Sequence, residues 1–158
     1  MPELIVTKDI DVPGIDKLDV YRQYGGYEAL AKALNDFEPD GLVDMIKTSG
    51  LRGRGGAGFP TGMKWGFLAK NNMPRFLCCN ADESEPGTCK DRIIMERIPH
   101  RLVEGVIITS FACRVTTAFI YVRGELALAG RQVEKAVEEA YAAGLIGKNI
   151  LGSEYSLD

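Results

Sequence analysis

Histidine is almost missing from this chain: His100 is the single one in 158 residues. It follows Pro99 and reads as a residue at a helix start, not a catalyst, because no serine or cysteine partner is implied for it. The four cysteines, Cys78, Cys79, Cys89 and Cys113, contain no C-x-x-C pair, so neither a zinc ribbon nor a redox dithiol is spelled out. Cys78 and Cys79 sit in a strand-like run and are expected on opposite faces as small packing residues. No long apolar run is present either. The stretch from Leu102 to Val122 is broken by Glu104 and Arg114, short of the ~18 uncharged residues a membrane span needs. The first ten residues carry Glu3, Lys8 and Asp9 where a secretory leader needs an apolar core. There is no excess of positive charge: 19 Lys+Arg stand against 22 Asp+Glu, a net charge of −3. That excludes a bulk field that would collect nucleic acid or acidic lipid. The expectation is a soluble, cytoplasmic chain with no nucleic-acid partner and no direct membrane insertion.

What is abundant is glycine, with 18 residues, and the question is where it clusters. Residues 1–26 read as irregular, broken by Pro2, Pro13 and Gly14 and closed by Gly25-Gly26. Leu30, Ala31, Leu34 and Phe37 fall at helical spacing over Tyr27–Phe37. Glu38-Pro39 ends that helix, and Asp40 is read as the N-cap of a second one over Gly41–Thr48. Its buried stripe is expected to be Leu42, Met45 and Ile46, with Gly50 beyond its end. Leu51–Gly62 then holds five glycines in twelve positions, a density that predicts a loop with bare backbone. A helix over Lys64–Lys70 is expected to stop at Asn71-Asn72. Arg75–Ala81 and Thr116–Val122 read as strands. Arg101–Cys113, introduced by Pro99, and Leu126–Ala143, stopped by Gly144, read as helices. Val133, Ala136, Val137, Ala140 and Tyr141 are expected on the inward face of the last. Alternating strand and helix predicts an α/β fold, a Rossmann-like parallel sheet with flanking helices. Glu154–Asp158 alternates like the opening of a third strand, so the sheet is expected to be incomplete at the C-terminus, as in a shortened chain.

Two clusters carry chemistry. Gly53-x-Gly55-x-x-Gly58 matches the dinucleotide fingerprint literally, yet a helix precedes it and Phe59-Pro60 follows, so an ordinary Rossmann turn is not expected. The logic of bare backbone remains: consecutive glycines let a flat ring or a pyrophosphate lie against main-chain N–H groups, and Arg52, Arg54 and Lys64 supply positive charge beside them. The bland alternative is a hinge with solvated charges. The second cluster, Asn80-Ala-Asp82-Glu83-Ser-Glu85-Pro-Gly87-Thr88, leaves the C-terminal end of a strand, where α/β proteins place ligand groups. Its carboxylates repel phosphate and suit ribose hydroxyls or ring N–H groups; the alternative is a solvated acidic turn. Pro86-Gly87 fits the centre of a type II turn. Phe59, Trp65 and Phe67 suit either stacking on a base or packing in the core, and judged without context they are read as core residues. Glu96 and Arg97 read as surface charges.

Leu51-Arg-Gly-Arg-Gly-Gly-Ala-Gly-Phe-Pro-Thr-Gly-Met-Lys-Trp65, then Cys79-Asn-Ala-Asp-Glu-Ser-Glu-Pro-Gly-Thr88 and Lys90-Asp91-Arg92, closely resemble the NADH-binding flavoprotein subunit of respiratory complex I. The likeness runs from about Gly41 to the C-terminus and includes Tyr121-Val-Arg-Gly-Glu125 and Gly147-Lys-Asn149. It implies FMN held by Gly53, Arg54, Gly55, Gly56 and Lys64 in a loop that continues through Ala57 and Gly58, and by Asn80, Asp82 and Glu83. It implies NADH above the flavin, with Phe59, Lys64 and Phe67 near the nucleotide and Glu85 near the nicotinamide end. In that picture a hydride passes to the flavin and electrons leave singly toward iron–sulfur clusters and quinone. The implied partners are NADH and the iron–sulfur subunits of a complex on the cytoplasmic face of the inner membrane. The family's own iron–sulfur cluster lies in a part not matched here, so no metal is assigned to these residues.

The resemblance divides the chain into an N-terminal irregular and helical segment (1–50), a glycine-rich nucleotide-binding loop and short helix (51–72) and the first half of an α/β FMN-binding domain (73–158). By this resemblance its C-terminal part, a ubiquitin-like domain and an iron–sulfur domain are expected to lie outside these residues. Two alternatives accompany this reading: a diaphorase subunit of an NAD-dependent formate dehydrogenase or hydrogenase, and a truncated, non-catalytic fragment without flavin.

Overall fold

Two six-residue runs rich in β-branched, aromatic and small residues form a parallel pair. In the computed structural model, which describes residues 4–69, 71 and 73–158, β1 (Phe76–Ala81) lies beside β2 (Thr117–Val122), with Phe76 opposite Thr117 and Ala81 opposite Val122. The predicted breaker Pro2 lies outside the described residues, as do Lys70 and Asn72, but the helix expected to run to Lys70 already ends at Gly66. Because side chains alternate along a strand, Leu77, Cys79 and Ala81 share one face with Ala118, Ile120 and Val122. That face is covered by helices α5 (Lys90–Arg97), α6 (Pro99–Cys113) and α7 (Ala127–Ala142), through Met95, Leu102, Ala129, Val133 and Val137. The other face leaves Phe76, Cys78, Phe119 and Tyr121 exposed. The two adjacent cysteines therefore do face opposite ways. Beyond β2, the Asp158 backbone accepts from Ala118 N–H at 2.7 Å and donates to Thr116 C=O at 3.0 Å, the start of a second ladder on the far edge of β2.

Ahead of the sheet come α1 (Leu18–Gln23), α2 (Glu28–Asp36), α3 (Pro39–Ser49) and α4 (Thr61–Gly66). The stretch expected to be irregular thus contains α1. Six residues do not sustain a helix by propensity, and here tertiary bonds hold them. Leu18 N–H donates to Glu139 Oε2 at 2.8 Å, and the Tyr21 hydroxyl donates to Glu104 Oε2 at 2.6 Å. Ile15, Tyr21, Tyr27 and Leu30 share one core with Ile98, Val103, Ile107, Ala140, Leu145 and Ile150. His100 is beside them and fully buried. Its Nδ1 is 2.9 Å from the Tyr27 hydroxyl and its Nε2 is 3.1 Å from Glu139 Oε2. One neutral tautomer satisfies both: Nε2–H donates to the carboxylate and Nδ1 accepts from the phenol. Burial pushes the His100 pKa below its usual value, against the pull of Glu139. The lone histidine is thus a core group at a helix start.

Helices α3, α5 and α7 also differ from their sequence reading. Pro39 opens α3 at its first position, where its missing N–H is no loss, so Asp40 lies inside the first turn and Glu38 is the N-cap. The buried face differs as well: Leu42 and Val43 pack against Ala33 and Ala112, while Met45 is exposed. The α5 helix was not apparent, because its apolar residues Ile93, Ile94 and Met95 are consecutive and show no period. Only Met95 among them is fully buried. In α7, Tyr141 turns outward, where its hydroxyl donates to Asp158 Oδ1 at 2.6 Å. Gly50 and Gly144 do close α3 and α7 with left-handed backbone, at φ 69° and 68°.

Candidate functional site

The glycine segment is a loop closed at its base and open at its tip. Arg52 and Pro60 form an antiparallel bridge, Gly53 N–H donates to Phe59 C=O at 3.0 Å, and Thr61 N–H donates to Leu51 C=O at 2.8 Å. The Arg52 guanidinium donates from Nε to Gly58 C=O at 2.6 Å, so this cation is committed to the loop itself. At the tip, a Cβ placed on Gly55 or Gly56 would meet nothing within 4 Å. The backbone there is bare toward solvent, as the glycine density predicts. Arg54 and Lys64 have no hydrogen bond or ion pair on their side chains among the described residues, and both are exposed.

Helix α4 begins directly after the loop, three residues earlier than predicted, because Pro60 ends the bridge and Thr61 follows at once. Gly62 is what lets α4 seat on α3: a Cβ there would stand 2.4 Å from Lys47 N and 2.8 Å from Lys47 Cα. Lys64 and Phe67 are three residues apart and lie on one side. Trp65 is half-buried in the core, as expected, but Phe59 and Phe67 are not core residues. They are 47% and 70% exposed, with ring centroids 5.9 Å apart and planes tilted by 50°. Two large aromatics left to water beside unpaired cations suit a flat, charged ligand.

The acidic turn leaves β1 as read. Asn80 Oδ1 accepts from Asp82 N–H at 3.1 Å, and the Ser84 hydroxyl donates to the Asp82 carboxylate. Gly87 has φ 79°, and Thr88 N–H donates to Glu85 C=O at 3.1 Å, which is the turn that Pro86-Gly87 predicts. Glu83 points into the structure: its Oε1 accepts from Asp91 N–H at 2.6 Å and its Oε2 from Arg92 N–H at 2.7 Å. Glu96 and Arg97 are more than loose surface charges. Glu96 pairs with Arg92 at 2.8 Å, and Arg97 donates to Ile10 C=O at 3.1 Å. Arg123 and Glu125 were not singled out by residue chemistry. They leave the C-terminal end of β2 beside this turn, paired at 3.0 and 3.1 Å. That bond draws the Glu125 carboxyl below its ordinary pKa and raises the Arg123 guanidinium. The parallel order of the strands was the signal for them, since both strand ends open on the same side.

No hydrogen bond or ion pair among the described residues joins the glycine loop to the Asn80–Glu85 turn. Nor does either line the clefts of about 550 Å³ between α3, α4 and the end of α6, or about 700 Å³ between β2, α6 and α7. Two half-sites are therefore built separately: one of bare backbone and cations, one of carboxylates and an amide at a strand end. Among the described residues no cluster of His, Cys, Asp or Glu could hold a metal ion, and no helix is long and apolar enough to cross a membrane.

A parallel α/β unit with ligand groups at its strand ends and an anion-suited glycine loop defines the class, a nucleotide- or flavin-binding α/β protein. Residues 46–156 match the model of the Nuo51 FMN-binding domain, and the chain belongs to that family. It is 52% identical over 157 residues to an NADH-quinone oxidoreductase subunit of Rhizobium meliloti, covering 99% of this chain and 37% of that protein. With the corresponding NADH-quinone oxidoreductase subunit of Escherichia coli the identity is 48% over 143 residues, 89% of this chain and 32% of the relative. The chain thus spans about a third of the length of the curated relatives it matches. Among solved structures, an NAD+-reducing NiFe-hydrogenase in the H2-reduced state superposes with a TM-score of 0.70 at 37% identity. That match covers 89% of this chain and 22% of the hydrogenase chain.

The donor set fits the family's cofactor. FMN needs partners for a dianionic phosphate and for a ring that carries both hydrogen-bond donors and acceptors. The open backbone of Gly55 and Gly56 with Arg54 and Lys64 suits anionic and electron-rich groups, and Asn80 and Asp82 suit ring N–H and hydroxyl groups.

Proposed function

We propose that this chain supplies part of the FMN- and NADH-binding site of a complex I-type NADH dehydrogenase. The observation that carries the reading is the bare tip at Gly55 and Gly56, next in sequence to Arg54 and followed by α4 with Lys64, two exposed cations without an ion pair among the described residues. Gly53–Gly58 present main-chain groups to the flavin, while Asn80 and Asp82 approach it from the end of β1. Phe59 and Phe67 take the NADH base, Lys64 its phosphates, and Glu85 the nicotinamide end. Bound FMN supplies hydride acceptance from NADH and one-electron release toward iron–sulfur clusters. The chain's own share is orientation and charge: it binds both nucleotides close together and provides no general acid or base. In this reading the partners are iron–sulfur subunits that pass electrons to quinone, within a complex on the cytoplasmic face of the membrane. The hydrogenase neighbour supports a second reading, a diaphorase subunit of an NAD-linked hydrogenase, which uses the same residues.

The test is a visible spectrum of the purified chain before and after FMN addition and desalting. The expected result is a retained flavin band that bleaches with NADH faster than free FMN does. A folded chain that retains no flavin, or oxidises NADH no faster than free FMN, refutes the reading for these residues.

A further inference from the structure

Glu83 stands two residues beyond the end of β1, with its backbone in the left-handed region at φ 45°. A non-glycine residue keeps that conformation where its surroundings over-determine it, and such residues gather at functional sites. Here the carboxylate does the over-determining. Each of its oxygens accepts one N–H from the first turn of α5, Asp91 at 2.6 Å and Arg92 at 2.7 Å. Cys89, the N-cap residue of α5, contributes no side-chain bond of its own, so Glu83 is the cap, supplied from six residues further back. The two amides carry the positive end of the helix, which offsets the charge of Glu83. What remains turned outward is a short constellation set by this clamp. Asn80 is fixed by Asp82 N–H, Asp82 by Ser84, and Glu85 carries no side-chain partner among the described residues.

We propose that Glu83 is a positioning residue of the nucleotide site. Its carboxylate stays on the N-terminus of α5 when ligand is bound, and through that clamp it sets the turn that presents Asn80, Asp82 and Glu85. It is not itself a flavin ligand. The argument is one of commitment: to touch a ligand, the carboxylate has to abandon two charge-assisted bonds and leave two helix amides unpaired. The proposal rests on the flavin reading above.

The two roles differ in what happens at Asp91 and Arg92. Amide exchange at these residues is followed by NMR in the purified chain, with and without FMN, and in two variants. Loading with FMN is expected to leave both amides at least as protected as before. Exchange that accelerates severalfold on loading overturns the proposal, because it shows the carboxylate leaving α5. Glu83→Ala is expected to speed exchange at the two amides by about three- to thirtyfold, the range of a lost cap, and to weaken FMN binding. Faster exchange with undiminished FMN affinity also overturns it. Glu83→Ala/Cys89→Asp returns a carboxylate to the N-cap without one at position 83, and should regain both protection and FMN binding. Protection regained while FMN binding stays lost makes Glu83 a direct ligand and overturns the positioning role. A wild-type chain that binds no FMN, yet loses protection in Glu83→Ala, refutes the flavin reading and the presenting role with it, while the clamp on α5 stands.

Discussion

Gly62 offers a direct test of how α4 is held. A methyl group there would lie 2.4 Å from Lys47 N and 2.8 Å from Lys47 Cα, where ordinary contact begins near 3.4 Å. Both atoms are backbone of α3 and cannot rotate away, so Gly62→Ala has to part the two helices by about 1 Å. Overpacking of that kind costs about 1–3 kcal/mol, and the better helix propensity of alanine returns at most about 1 kcal/mol. The net expectation is a loss of about 1–2 kcal/mol in urea unfolding followed by circular dichroism, with the slope unchanged. Gly66→Ala in the same helix is the control: its methyl meets only the end of the Lys47 side chain, Cε at 3.4 Å and Nζ at 3.6 Å. That variant should be as stable as the parent or slightly more so. Because α4 carries Lys64 and positions Phe67, Gly62→Ala should also weaken nucleotide binding where Gly66→Ala does not. Equal stability of the two variants would refute the close approach and the seating of α4 that depends on it.

The other two expectations separate fold from ligand and neutral from charged. Gly56→Val places a branched side chain into open space at the loop tip, so stability should stay within about 0.5 kcal/mol of the parent while FMN binding is lost; full flavin affinity in that variant would remove the loop from the site. Stability should fall on acidification, because burial holds the His100 pKa below the ordinary 6.5 of histidine and the unfolded chain takes up this proton first. The contribution is intact above about pH 6.5 and is lost as the pH falls from there toward the folded-state value. Glu139 adds a second loss below its ordinary 4.5. Burial opposes its ionisation, but the Leu18 N–H, His100 and Lys135 hold it lower in the folded chain, so that stability is present above 4.5 and lost beneath it. Urea midpoints at about pH 7.5, 6.0 and 5.0 read the first loss, and His100→Gln should flatten it; an unchanged slope in the variant would refute the assignment.

How far the chain could be read in advance depended on whether the deciding interaction was local. The strands, α2, α6 and α7 announced themselves because their burial repeats along their own sequence. The turn at Pro86-Gly87 and the closures at Gly50 and Gly144 were legible for a similar reason: each needs a backbone conformation that glycine supplies. α1 and α5 were not legible. Leu18 and Tyr21 hold α1 through Glu139 and Glu104, far along the chain, and the cap of α5 comes from Glu83 across a turn. Neither leaves a trace in local spacing. The misplaced start of α3 has the same origin, since one proline can close one helix or open the next, and packing on Ala112 decides between them.

The candidate site divides along the same line. Glycine density alone marks Gly53–Gly58 as bare backbone, and composition marks Asn80–Glu85 as an acidic turn at a strand end. What composition cannot assign is which of several like residues face the ligand. Arg52 and Arg54 differ by two positions, yet the first is bound to Gly58 C=O and the second is unpaired among the described residues. Asp82 and Glu83 are neighbours, and only the left-handed backbone at Glu83 turns one carboxylate onto α5 and leaves the other at the turn. Hydrophobicity alone favours the core for Phe59 and Phe67 over stacking on a base, and their exposure of 47% and 70% removes the core reading. A motif therefore delimits the neighbourhood of a site, while the hydrogen bonds already made within the fold decide which of its residues remain available to a ligand.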